Sequence, residues 1–148
     1  MPNLTGSSTA EIDVPRGRVW ELVADVEKAP EWQGGLKAMD ALERDGDGRA
    51  VVCESQSDAK VRTLKSTVRF FYEGPDRLRW EQERGDLKSV NGSWQLEEVG
   101  AGRTRATYSL EVDLGRVLGM VIRGPVVDVL RSQLINARAN ELKRWAEA

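Results

Sequence analysis

The chain has 148 residues, 31% charged and 40% hydrophobic, with a formal net charge of −2. That length suits one domain with a real core, and that charge gives no electrostatic reason to bind nucleic acid or an anionic membrane. The absence of histidine and the single cysteine, Cys53, exclude Ser-His and Cys-His nucleophile pairs, histidine or thiolate metal sites and an internal disulfide. No metal or other cofactor is expected. Any chemistry must come from carboxylates, tyrosine, lysine, arginine or the shape of a pocket.

No apolar run approaches the roughly 18 residues of a membrane span, and Met1 to Ser8 lacks the basic flank and apolar centre of a signal segment. The chain therefore reads as a cytoplasmic protein without an integral membrane segment. It is expected to form one domain over residues 1–148, with residues 1–8 a flexible terminus because they are small and polar.

Thr9 to Val14 alternates, with Ala10, Ile12 and Val14 on one side, and predicts a strand. Pro15 then opens a helix whose apolar line is Val19, Leu22, Val23 and Val26, with Trp20 beside it. Pro30 breaks it, a short second helix carries Trp32, and Gly34-Gly35 ends that. From Leu36 onward, turn chemistry divides a run of strands. Asp45-Gly46-Asp47-Gly48 joins 36–44 to 50–55, Gly74-Pro75-Asp76 joins 61–72 to 77–83, and Gly100-Ala101-Gly102 joins 87–99 to 104–113. With the first, that makes about seven strands on short connections, hence antiparallel. Leu114 to Arg123, interrupted by Gly115 and Gly119, reads either as a short helix or as a flap.

Gly124 to Ala148 predicts one amphipathic helix. Val127, Leu130, Leu134 and Ala137 form one apolar line and Ile135, Ala139, Leu142 and Ala146 a flanking one. At about 23 residues it would run about 35 Å, as long as a small domain is wide. The fold class is therefore α+β: a seven-stranded curved antiparallel sheet around a long C-terminal helix, with two short helices after the first strand. Such a sheet has more concave surface than one helix fills, so a cavity between them is expected.

This order resembles the helix-grip fold of the START and Bet v 1-like superfamily, in its polyketide cyclase/dehydrase and lipid-transport branch. The residues that carry the resemblance are Ile12-Asp13-Val14-Pro15, Val19 to Glu27, Pro30-Glu31-Trp32, Leu42 to Arg49, Gly92 to Leu96 and Asn140 to Lys143. The resemblance implies a cavity for an apolar ligand. In the aromatase/cyclase members it implies an inward arginine that polarises a ketide carbonyl, and Arg69 matches that position by its spacing from Gly74. Leu36 and Ala29 stand where those cyclases have a tyrosine and a tryptophan, which leaves a ring-forming mechanism without its donors.

Trp80, Trp94 and Tyr108 share strand faces with Leu78, Leu96, Ala106 and Leu110, so they are expected to line the pocket or to fill the core. Trp32 is the candidate for the pocket mouth, or else a staple on its turn. Leu130 and Leu134 present the helix to the cavity. In strand 61–72, hydrophobicity turns Leu64, Val68, Phe70 and Tyr72 inward and leaves Arg69 in solvent, whereas the family position of Arg69 asks for a bulge that turns it in. Asp40 and Glu54 read as solvent-facing carboxylates, or else as inward ones with a raised pKa that act as acid or base, Cys53 as a buried inert thiol, and Glu141 with Arg144 as part of a solvated face.

Three functions compete. The first is a binding protein, monomer or homodimer, for a lipid, isoprenoid quinone or polyketide-like molecule. The second is an aromatase/cyclase using Arg69 with Tyr72 or Tyr108. The third is a protein-interaction module of the same fold, with a filled interior and an exposed aromatic strip such as Phe70 and Tyr72. A connected cavity of several hundred Å³, on the order of ordinary ligand pockets, would favour the first two.

Overall fold

The computed structural model describes residues 4–148. Strand β1 (Leu4–Ile12) is followed by helix α1 (Arg16–Ala24), a 3-10 segment (Val26–Glu31), and strands β2 (Leu36–Arg44), β3 (Ala50–Asp58), β4 (Thr63–Glu73), β5 (Arg77–Gly85), β6 (Ser89–Gly100) and β7 (Arg103–Asp113). The chain ends in α2 (Gly115–Val121), α3 (Pro125–Arg131), a π-helical turn (Ser132–Asn136) and α4 (Arg138–Glu147). All seven strands form one antiparallel sheet in the order β1-β7-β6-β5-β4-β3-β2. Among the described residues no helix is long and apolar enough to cross a membrane.

The period of two along each strand sorts the core. On β4, Leu64, Ser66, Val68 and Phe70 are buried, and on β7 so are Thr104, Ala106, Tyr108, Leu110 and Val112. These faces meet Leu130, Ile135, Ala139 and Leu142 of the C-terminal helical segment.

Two expectations are corrected. The first strand begins at Leu4, so residues 4–8 are paired with β7 and do not fray, while residues 1–3 lie outside the described part. Their small side chains serve close packing. A Cβ on Gly6 would stand 3.3 Å from Ile135, and the Ser8 hydroxyl donates to the Ile135 carbonyl at 2.7 Å while accepting from the Ala139 N–H at 3.2 Å. Such a polar, glycine-containing run looks like a tail only when the helix above it is out of sight.

The second correction concerns the final helix, whose α-geometry is interrupted at the π-turn, where the Ala137 N–H bonds the Ser132 carbonyl. A π-turn holds one residue more than an α-turn and shifts the phase of all that follows by about 100°. In an unbroken α-helix Arg138 and Leu142 would lie about 80° and 120° round from Leu130; with the shift both come within about 20° of it. Leu130, Arg138 and Leu142 are accordingly all buried. The segment 114–123 is a helix rather than a flap, with Leu114, Leu118 and Ile122 buried and Val117, Met120 and Val121 exposed.

Candidate functional site

Between the sheet and the C-terminal helix lies a cavity of about 140 Å³. This is smaller than the several hundred Å³ set above as favouring the binding and catalytic readings, because a row of aromatic rings fills part of the concavity. Phe70 and Trp80 are cross-strand partners with centroids 6.0 Å apart, and Trp94 and Tyr108 are partners at 4.9 Å. Trp80 and Tyr108, at 5.7 Å, join the two pairs. Glycine makes room for this row: a Cβ on Gly92, opposite Trp80 on β6, would fall 2.2 Å from the indole.

Of the residues singled out from the sequence, Trp80, Trp94, Tyr108, Leu130 and Leu134 stand on the cavity wall. Trp32 does not; it packs against Trp94 at 6.1 Å, and its buried indole N–H has no partner among the described residues. Tyr72 is also off the wall. Its hydroxyl donates to the Ala50 carbonyl, and its ring meets Trp20 edge-on at 6.4 Å.

Arg69 faces outward, where its Nε holds a Glu83 carboxylate oxygen at 2.7 Å. The β4–β5 ladder does carry a bulge opposite the Thr67–Val68 step, but its extra residue is Glu83 on β5, and Val68 and Phe70 stay inward with Arg69 out. The inward Arg69 that the family position suggested is thus replaced by the orientation hydrophobicity favours. Asp40 is exposed and Glu54 half-buried opposite it, and neither reaches the cavity.

One residue the sequence reading passed over is central. Arg138 is 3% exposed and on the wall. Its Nη1 donates to Glu141 Oε1 at 2.7 Å and to the Gly34 carbonyl at 3.0 Å, and Glu141 Oε2 accepts the Gly34 N–H at 2.9 Å. Glu141 therefore pairs with Arg138 in the interior, not with Arg144 on a solvated face. The Arg138 Nε–H is buried and meets no hydrogen-bond geometry among the described residues, and the guanidinium lies 5.7 Å from the Tyr108 ring centre. The available signal was spacing, since Arg138 follows Leu130 and Leu134 at four-residue steps; the π-turn then decides how far inward it points.

Gly35 sits under Leu134, where a Cβ would come within 2.5 Å of that side chain, and Leu36 pairs with Ser57 across β2 and β3. The half-buried residues of the wall are Gln33, Leu36, Met39, Ser57, Trp80, Leu87 and Leu134. Burial raises the Tyr108 phenol above its ordinary value, with Arg138 pulling the other way, and burial likewise raises Tyr72. Burial pushes the Cys53 thiol up to about 11, in keeping with an inert core cysteine.

Comparison with known proteins adds the following. The family model described as polyketide cyclase / dehydrase and lipid transport matches residues 12–138. No curated protein matches the sequence. A START superfamily protein from Mycobacterium smegmatis is similar in structure, with a TM-score of 0.81 at 19% identity over 97% of each chain. The Zhui aromatase/cyclase from Streptomyces sp. R1128 is similar with a TM-score of 0.74 at 17% identity, over 97% of this chain and 93% of that one. Ara h 8.0201 gives 0.63 at 14% identity over 97% of each chain. At these identities the likeness concerns the fold.

Proposed function

The chain belongs to the polyketide cyclase/dehydrase and lipid-transport family and has the helix-grip fold, and from that premise we propose that it binds one apolar small molecule between sheet and C-terminal helix. The observation that carries this reading is the composition of the wall. Aromatic and aliphatic side chains dominate it, and among the described residues it includes no carboxylate, thiol or lysine. Proton-transfer chemistry would need a placed base, and Tyr108, whose raised pKa keeps its proton on, is not one.

Catalysis through Arg69 has less support, since that side chain is engaged with Glu83 on the far side of the sheet. The interaction-module reading asked for Phe70 and Tyr72 outside, but Phe70 is 7% exposed and Tyr72 packs edge-on against the buried Trp20. The ligand's enclosed part is about one ring or a short chain, since a cavity of about 150 Å³ takes a benzene-sized guest. A longer lipid, isoprenoid quinone or polyketide-like molecule would extend beyond this enclosure. The reading is tested by titrating the protein with ethylbenzene and acetophenone and following the tryptophan indole N–H resonances. Saturable one-to-one shifts are expected, and no saturable shift with either would overturn it.

A further inference from the structure

The wall of the cavity is not apolar throughout. On its β3–β4 side Ser55 and Ser66 face each other as cross-strand partners, both on the wall and both buried. Their place follows from the strand period, Ser66 lying between the inward Leu64 and Val68. The bulge on β5 passes over Glu83, so Gln82 stands opposite Val68 and its amide reaches Ser66. Gly85 leaves room for that amide, since a Cβ there would come within 2.7 Å of Gln82 Oε1.

The direction of hydrogen bonding through this group is fixed. Gln82 Nε2 donates to the Leu87 carbonyl at 2.8 Å, which turns Oε1 toward Ser66, and an amide oxygen only accepts. The Ser66 hydroxyl therefore donates to it, at 2.8 Å. The Ser55 hydroxyl meets the Ser66 carbonyl at 3.2 Å and donates as well. Each hydroxyl has one hydrogen and both are spent, while among the described residues no donor reaches either oxygen. What the two serines offer a guest is a pair of acceptors.

The other polar groups of the wall are served differently. Arg138 and Tyr108 hydrogen-bond each other on the β7 side, and Gln33 and Ser57 are half-buried, within reach of solvent. Among the described residues no carboxylate stands on the wall to balance a cationic donor, so the donor that fits the serines is neutral.

Resting on the binding function above, we infer that the ligand carries an alcohol or phenol O–H that donates to the Ser55–Ser66 pair, and that these two serines, with their polarity set by Gln82, determine specificity. A quinone, which has acceptors only, fits this side of the wall least. A hydroxylated lipid or a phenolic molecule fits it best.

Three probes of equal size separate the possibilities when titrated against the tryptophan indole N–H resonances. p-Cresol and anisole are isomers, of which the first donates a hydrogen bond and the second only accepts; ethylbenzene does neither. A wall without acceptors would favour anisole, because the cresol hydroxyl would lose its water for nothing. With the serines in place p-cresol should bind about fivefold more tightly than anisole, as expected for one hydrogen bond. Ser55→Ala combined with Ser66→Ala removes both acceptors and should make anisole the tighter ligand. If that variant does not fold, Gln82→Met tests the same point from the other side: it frees the Ser66 hydrogen to donate and should bring anisole up to the level of p-cresol. Binding of p-cresol no tighter than anisole by the unmodified protein overturns the inference, and so does a preference for p-cresol that survives either variant undiminished. Saturable binding of ethylbenzene in those cases leaves the apolar cavity reading standing. Failure of all three probes to bind removes that reading itself.

Discussion

Arg69 on the outer face of the sheet and Arg138 on the inner wall each hold a carboxylate oxygen at 2.7 Å, the first from Glu83 and the second from Glu141. The side chains of the outer pair are 38% and 35% exposed and those of the inner pair 4% and 13%. Identical contacts therefore do different work. Outside, water and salt screen the attraction and stand ready to replace either partner. Inside, neither charge can be left alone, and the Gly34 carbonyl and N–H each add a further hydrogen bond to the pair.

The largest effect that would test this contrast comes from breaking the inner pair. Glu141→Ala should lower stability by about 3 kcal/mol, because it strands a buried guanidinium. Urea unfolding followed by tryptophan fluorescence measures it. The double change Arg138→Met with Glu141→Leu should recover most of the loss. A loss well under about 1 kcal/mol in the single variant would place the inner pair in the class of exposed ones.

Next in size is a change to the inner wall that leaves charge untouched. Gly92→Ala puts a methyl group where the Trp80 indole now lies 2.2–2.4 Å from the Cβ position, so the ring must move. Overpacking of this kind costs about 1–3 kcal/mol. Trp80 can retreat into the cavity it lines, so the variant should also bind acetophenone more weakly, which titration would show. Unchanged binding would mean that the cavity does not depend on where that ring rests.

How much of this was legible beforehand follows the same inside–outside division. Strand alternation and turn residues were enough to predict seven strands, the inward Trp94 and Tyr108, and the hydrophobic face of β4, because a period of two converts directly into a face. The strand at residues 4–8 was not legible, since Gly6 and Ser8 are chosen for the close approach of Ile135 and Ala139 rather than for apolar content. Arg138 was hidden for a different reason. A helical wheel drawn at 3.6 residues per turn cannot show a π-turn, and the π-turn is what brings Arg138 into line with Leu130. The cavity's smaller volume had a related cause, because the reach of a row of indoles depends on rotamers that a sequence does not carry.

The contrast extends to pH. In the interior, burial raises the Cys53 thiol from 9.0 to about 11, and it raises the Tyr72 and Tyr108 phenols above their ordinary 10.0. These acids are neutral when protonated, so the folded state favours the protonated form. The stability they contribute is fully present below pH 9 and is lost as pH rises through 9 and 10, where the unfolded chain ionises first. Outside, the hydrogen bond from Arg44 holds Glu27 below its ordinary 4.5, and that contribution is lost only as pH falls below this value. Unfolding midpoints measured from pH 4 to pH 11 should therefore decline more on the alkaline side. Cys53→Ala should flatten the part between pH 9 and pH 11, and an unchanged slope there would mean the thiol is not shielded.

The smallest effect is expected of Arg69→Ala, and its smallness carries information. Arg69 lies opposite Glu81 in the β4–β5 register and reaches diagonally to Glu83, on the surface remote from the cavity. Removing it should leave the unfolding midpoint within experimental scatter and the affinities for ethylbenzene and acetophenone unchanged. A tenfold loss of acetophenone affinity would require Arg69 to point inward. Because side chains alternate along a strand, that would turn Val68 and Phe70 outward with it and dismantle the row that Phe70 begins. Binding by this variant therefore reports on the register of β4 as directly as it reports on Arg69.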